Sequence, residues 1–154
     1  MDEGVTNNPG GRTLAVDYGR RRVGLAISDP TGTIATGMET LLVRSAEEAA
    51  TRIAAERATW EYQKIVVGLP LRTSGEPSEM AGEVMEFVER LRALSGVPVE
   101  TIDERFSSHE AERMLHATGR HIKGNKAAID RLAAEVLLRQ YLDMRPGAVD
   151  TDDL

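Results

Sequence analysis

Cysteine is missing from these 154 residues. Its absence excludes disulfides, thiolate metal centres and thiol nucleophiles, and it is compatible with a reducing compartment. Aromatic residues make up only 4% of the chain, so the core must come from Leu, Ile, Val, Ala and Met. No apolar run approaches the roughly 20 residues of a membrane-spanning helix. The opening residues, MDEGVTNNPGGR, lack the apolar stretch of a secretory leader. These absences point to a cytoplasmic protein with no membrane partner. Histidine is scarce too. His109 and His116 stand seven apart, about two helical turns, and read as surface positions rather than metal ligands.

The composition is otherwise that of a globular domain, 41% apolar and 29% charged, long enough to enclose one core. A net charge of −6 argues against a general nucleic-acid coat. The distribution says more than the sum. Residues 46–104 carry twelve acids and six bases, whereas residues 105–131 carry six bases and three acids. One part of an acidic protein is therefore locally basic, and Arg20, Arg21 and Arg22 form a second basic cluster.

That second cluster belongs to the most informative stretch, DYGRRRVGLAISD at residues 17–29. An apolar run, Leu14 to Val16, delivers a carboxylate at Asp17, and a second run leads away from Val23 to Ile27. The pattern predicts two strands joined by a tight basic turn. Gly19 and Gly24 lack a Cβ, so backbone or ligand can come close there. An acid at a strand end beside open backbone and arginines suits a metal ion and a phosphate; a hairpin with a capping Asp is the plainer alternative.

The remaining elements follow from local patterns. Residues 1–11 and the acidic residues 146–154 read as disordered tails around a domain at 12–145. Strands are expected at Thr13–Tyr18, Val23–Ser28 and Thr33–Val43, the last after a turn at Pro30-Thr31-Gly32. Ser45 opens a helix with a capping box, and Glu48 stands third after it. That helix carries an apolar stripe of Ala49, Ile53, Ala54 and Trp60. The run at Lys64–Leu69 has the continuous hydrophobicity of a strand buried on both faces. Further elements are a helix at 78–94, a strand at Val97–Ile102, a helix at 107–118 and a last helix at 125–142. Met80, Met85 and Met114 read as packing residues. The expected fold class is α/β: a mixed five-stranded sheet, built from a three-strand antiparallel meander plus two parallel strands and flanked by helices.

Three positions gather carboxylates at one edge of such a sheet. Asp17 ends the first strand, and strand C-termini in a sheet with parallel neighbours mark the expected site edge. The strand ending at Ile102 runs into Asp103-Glu104, of which alternation lets only one face the site; spacing alone leaves that choice open. Asp130 falls within the apolar face of the last helix, between Ala133 and Leu137, opposite Arg131, Glu135 and Arg139. A carboxylate there needs a cation or an ion-pair partner. An all-oxygen donor set suits Mg²⁺ or Mn²⁺ better than zinc, and phosphodiester cleavage is the natural chemistry of such a set.

Four segments carry a resemblance beyond these patterns: LAVDYGRRRVGLAISD at 14–29, KIVVGLPLRTSGEPS at 64–78, VETIDERFSSHEA at 99–111 and KAAIDRLAAEVLLRQYL at 126–142. In order and spacing the chain resembles the YqgF/RuvX family of the ribonuclease H-like superfamily over roughly residues 12–143. The resemblance implies a ribonuclease H-like fold. It implies a metal-dependent nuclease that uses Mg²⁺ or Mn²⁺ in 5′-end processing of precursor 16S ribosomal RNA. The alternatives are a Holliday-junction resolvase acting on branched DNA and a non-catalytic RNA-binding assembly factor. An actin-like ATPase lobe ranks last, because a chain of this length has no second lobe to close over a nucleotide. The resemblance selects Glu104 over Asp103, so that Asp17, Glu104 and Asp130 are the expected catalytic and metal-binding acids. Gly68, Pro70 and Gly75 match the family's glycine-rich second loop, and Arg21 stands where the family often has Lys-Arg. Arg20, Arg21, Arg22, Thr73, Ser74, Lys123 and Lys126 are the expected nucleic-acid contacts. The partner is structured RNA or branched DNA, and the protein is expected to act as a monomer or homodimer.

Overall fold

The computed structural model describes residues 11–70, 79–103 and 126–144. The first strand, β1, is Arg12–Asp17, and β2 is Arg22–Ser28. Two short strands follow, β3 at Ala35–Gly37 and β4 at Leu41–Leu42. Helix α1 covers Ala46–Ala55, a single turn α2 covers Arg57–Trp60, and β5 is Tyr62–Leu69. Helix α3 is Glu79–Ser95, β6 is Val99–Asp103, and α4 is Lys126–Met144. The helix expected at 107–118 lies outside the described residues, as do both expected tails apart from Gly11. No described helix is long and apolar enough to cross a membrane.

The sheet runs β3-β2-β1-β5-β6, with β4 paired to β2. Strands β1 and β2 pair antiparallel, while β1, β5 and β6 are parallel. The mixed topology agrees with the sequence. One strand does not: the expected Thr33–Val43 element is broken in two. Ala35 to Gly37 pair with Ser28 to Ala26, and Leu41-Leu42 pair with Val23-Arg22. Residues 38–40 therefore face only Gly24 and Leu25. One residue is in excess, which is the signature of a β-bulge. Met38 still donates its N–H to the Leu25 carbonyl at 2.8 Å. The turn before β3 is tied by Asp29, whose Oδ1 accepts the N–H groups of Thr33 and Ile34, each at 2.8 Å. The Ile34 N–H first, then the Thr31 hydroxyl and the Thr33 N–H, hold its carboxyl well below the usual range.

Helix α1 starts as the capping box predicts, with Ser45 accepting the Glu48 N–H at 3.0 Å. It stops at Ala55 rather than continuing to Trp60. Trp60 sits on the separate turn α2, and Glu61 after it takes a left-handed conformation at φ 60°. Met80 packs on the core as expected, but Met85 faces solvent.

Alternation along the strands sorts side chains into two cores. Leu14, Val16, Val23, Leu25, Ile65 and Val67 face α1 and α3, packing on Ile53, Val84, Phe87 and Leu91. Ala15, Ala26, Val66 and Ile102 face α4, against Ala134, Leu137, Leu138 and Tyr141. The α4 side uses small residues on the sheet, so this helix sits close. Gly24 of β2 is one point where its backbone approaches the sheet. A Cβ built there would lie 2.6 Å from the Asp130 carbonyl oxygen and 3.3 Å from its carbonyl carbon. Gly37 of β3 likewise faces the Arg131 side-chain stem, with the Arg131 carbonyl oxygen 3.2 Å from its would-be Cβ.

Replacing Gly24 with Ala should therefore push α4 off the sheet. The expected cost is about 1–3 kcal/mol, as for other overpacking changes, read as a lower thermal unfolding midpoint. Gly82 on α3 is the contrasting case, because a Cβ there would meet nothing within 4 Å. Gly82→Ala should stabilise by about 0.5–1 kcal/mol through helix propensity. Equal effects at the two sites would contradict the close seating of α4.

Candidate active site

Asp17 closes β1 at the C-terminal edge of the sheet, the edge where β5 and β6 also end, at Leu69 and Asp103. It has the same alternation as Ala15, so its side chain belongs to the α4 face. Its cross-strand partner on β2 is Gly24. On its other flank Gly68 follows Val67, the parallel partner of Val16. Asp17 thus stands between two glycines on neighbouring strands, with no side chain crowding it from either.

Helix α4 brings the second acid to the same place. The would-be Cβ of Gly24 lies 3.4 Å from the Asp17 Cβ as well as 2.6 Å from the Asp130 carbonyl oxygen. Asp17 and Asp130 therefore both adjoin Gly24, although 113 positions separate them in sequence. The Asp130 side chain keeps 28% of its exposure, which places it at the rim of the apolar stripe rather than deep within it. Ala133, Val136, Leu137 and Tyr141 are buried as the wheel predicts, and Arg139 pairs with Glu135 on the outer side at 2.7 Å.

The third expected acid, Glu104, lies outside the described residues. Asp103 is described. It shares its alternation with Val99, which packs on the α1 and α3 side, whereas Ile102 packs on the α4 side. Alternation alone would turn Asp103 from the Asp17 face, yet it lines one cavity with Tyr141 and Asp143 of α4, so the structure leaves the choice between Asp103 and Glu104 where the sequence left it. Among the described residues no three Asp, Glu or His side chains cluster as a metal site.

The basic turn divides its arginines. Arg20 donates from Nε to Glu83 of α3 at 2.9 Å. Arg22 donates from Nε to Oδ2 of Asp130 on α4, also at 2.9 Å. Arg21 between them is exposed, and no side-chain partner is found for it among the described residues. One turn therefore ties the helices on both faces of the sheet. Partly exposed ion pairs contribute about 0.2–1 kcal/mol, so these two orient their side chains more than they stabilise the fold. Thr73, Ser74 and Lys123 lie outside the described residues. Lys126 opens α4, one turn before Asp130.

Sequence reasoning missed Glu83. Besides Arg20 it accepts the Tyr18 hydroxyl at 2.8 Å, and Tyr18 stacks on Phe87 with ring centroids 4.8 Å apart. The Tyr18 hydroxyl and then Arg20 hold the Glu83 carboxyl below its usual range. Burial first, then the hydrogen bond and charge of Glu83, push Tyr18 up to about 12, with Arg20 opposing. No local signal joins positions 63 or more residues apart, so only the folded chain reveals this contact.

The fold and these residues define a ribonuclease H-like α/β domain with two acids beside a basic turn. The chain belongs to the RuvX family: the family model, described as Holliday junction resolvase, matches residues 11–144. A Koribacter versatilis protein named "Putative pre-16S rRNA nuclease" is 44% identical over 138 residues, covering 88% of each chain. A protein of the same name from Crocosphaera subtropica is 39% identical over 136 residues, covering 88% of this chain and 95% of its own. Among solved structures, Thermus thermophilus RuvC covers 89% of this chain and 97% of its own, with a TM-score of 0.53 at 18% identity. Fowlpox virus resolvase in complex with Holliday junction DNA covers 86% and 97%, with a TM-score of 0.54 at 10% identity. At these identities the two structures establish the fold.

Tyr18 offers a test of the turn. Its folded pKa of about 12 exceeds the ordinary value of about 10. Its contribution to stability is therefore complete below about pH 10 and fades as pH rises toward 12. Tyr18→Phe should remove a late phenolate step from the near-ultraviolet titration, and Glu83→Gln should move that step to lower pH. A Tyr18 that ionises with an unperturbed tyrosine would contradict the Glu83 contact.

Proposed function

We propose that this protein is a metal-dependent nuclease that hydrolyses phosphodiester bonds in structured RNA during 5′-end processing of precursor 16S ribosomal RNA, in the cytoplasm. The observation that carries the reading is the meeting of Asp17 and Asp130 beside Gly24, in a family whose curated relatives bear the pre-16S rRNA nuclease name. Glu104 is the proposed third acid. The family resemblance, rather than the described geometry, favours it over Asp103.

The donor chemistry fits a hard divalent cation. Both acids offer only carboxylate oxygens, and the chain has no cysteine. Asp17, Glu104 and Asp130 would hold Mg²⁺ or Mn²⁺, which when bound lowers the pKa of water and stabilises the leaving oxygen. The chain's own residues do the rest. Arg21 meets the phosphate backbone from the exposed tip of the turn, joined by Thr73, Ser74, Lys123 and Lys126, while Arg20 and Arg22 set the shape of the turn. These bases offset the repulsion that a net charge of −6 exerts on a polyanion.

The family description favours a second reading, cleavage of four-way DNA junctions. A resolvase must cut two strands and so would act as a homodimer, whereas RNA trimming is open to a monomer.

Cleavage of matched precursor-rRNA and four-way DNA substrates separates the two readings. Asp17→Asn, Glu104→Gln and Asp130→Asn should each lower the rate about a hundredfold or more, on the scale of losing one transition-state stabilising group. Arg21→Ala should weaken binding and reduce the salt slope by about one. Undiminished cleavage in Asp17→Asn would remove the proposed site.

A further inference from the structure

We propose that Arg22 is a built-in counter-ion of Asp130, which a divalent cation displaces and whose freed guanidinium then takes a backbone phosphate of the nucleic acid. This rests on the nuclease reading above. Arg22 opens β2, Asp130 lies in the early turns of α4, and their Nε–Oδ2 contact is 2.9 Å. Their side chains retain 38% and 28% exposure, so ion and solvent can reach the pair.

Asp17 and the backbone of Asp130 adjoin the same glycine, and two carboxylates brought to one site repel each other when no cation is present. A guanidinium on Asp130 lowers that repulsion. It also lowers the attraction of the site for a divalent ion, because the two positive groups then compete for one carboxylate. Orientation alone could have come from a neutral hydrogen-bond donor, which would not carry this penalty. The contrast with Arg20 is instructive. Its partner, Glu83, lies on the opposite face of the sheet from α4 and is shared with the Tyr18 hydroxyl rather than with a second acid. Arg22 adjoins Arg21, which is already exposed, so a side chain released from Asp130 emerges beside a proposed phosphate contact. Reciprocity then requires that nucleic acid, by holding the guanidinium, tighten the cation, and that the cation tighten the nucleic acid by the same factor.

Mn²⁺ binding, followed by the paramagnetic signal of the free ion, tests this without turnover. Wild type, Arg22→Gln, Arg22→Lys, Asp130→Asn and Asp17→Asn are compared without nucleic acid, with metal-free unfolding midpoints as the fold control. Arg22→Gln should bind Mn²⁺ about fivefold or more tightly than wild type, in the range of ordinary coupling between sites. Arg22→Lys, which keeps the charge, should stay near wild type. A cleavage-resistant 2′-O-methyl RNA oligonucleotide should tighten Mn²⁺ binding in wild type more than in Arg22→Gln. If Arg22→Gln does not hold its fold, Arg22→Met, which keeps an aliphatic stem, replaces it. Equal or weaker Mn²⁺ binding without the guanidinium, or a lysine variant that behaves like glutamine, would overturn the proposal alone. Mn²⁺ binding that survives both Asp17→Asn and Asp130→Asn unchanged would overturn the metal site as well.

Discussion

The seat of α4 on Gly24 is the contact on which the candidate site depends. Asp17 is delivered by a strand and needs only sheet register to be placed. Asp130 comes from an element more than a hundred residues later, so nothing local fixes its distance from Asp17. Backbone against backbone does. With no Cβ at position 24, the helix descends until the Asp130 carbonyl stands 2.6 Å from where that atom would be. The small side chains Ala15 and Ala26 extend the same shallow floor beneath the helix, and Leu137, Leu138 and Tyr141 fill it from above. Packing in such an interior is nearly as dense as in a crystal, so the acids inherit their spacing from the core.

The basic turn works on a different principle. Its arginines are paired with acids on opposite faces of the sheet, one on α3 and one on α4. Neither pair is strong, yet in the metal-free protein they tie down the residues on both sides of the exposed Arg21. An acidic protein can in this way present positive charge at one edge without becoming basic as a whole. The Tyr18–Glu83 hydrogen bond adds a directional anchor on the α3 side, supported by the ring contact with Phe87.

Much of this was legible before folding. The continuous apolar run at 64–69, the alternating runs about Asp17 and the capping box at Ser45 each reflect a local rule, and each element appeared where its rule put it. The wheel of the last helix singled out Asp130 because a carboxylate on an apolar face is conspicuous in one dimension. What stayed hidden depended on register or on distant partners. The bulge at 38–40 is one surplus residue against Gly24 and Leu25, which alternation within Thr33–Val43 cannot reveal. The break between α1 and Trp60 falls at Glu56, whose backbone at φ −92° and ψ 8° leaves the helical range, a departure its residue type does not advertise. Arg20 and Arg22 look alike in sequence, and only the positions of Glu83 and Asp130 give them separate roles.

Gly24 also carries a consequence for how this sequence can diverge. Its constraint is geometric, since it carries no side chain that could react or bind. A side chain at that position would nonetheless move the helix that carries Asp130, so folding and the proposed chemistry would fail in the same step. Selection cannot trade one against the other there, as it can at an exposed arginine. In a comprehensive scan of substitutions, position 24 should look as intolerant as a reactive group. A ranking by intolerance alone would then count a piece of scaffolding among the chemical residues.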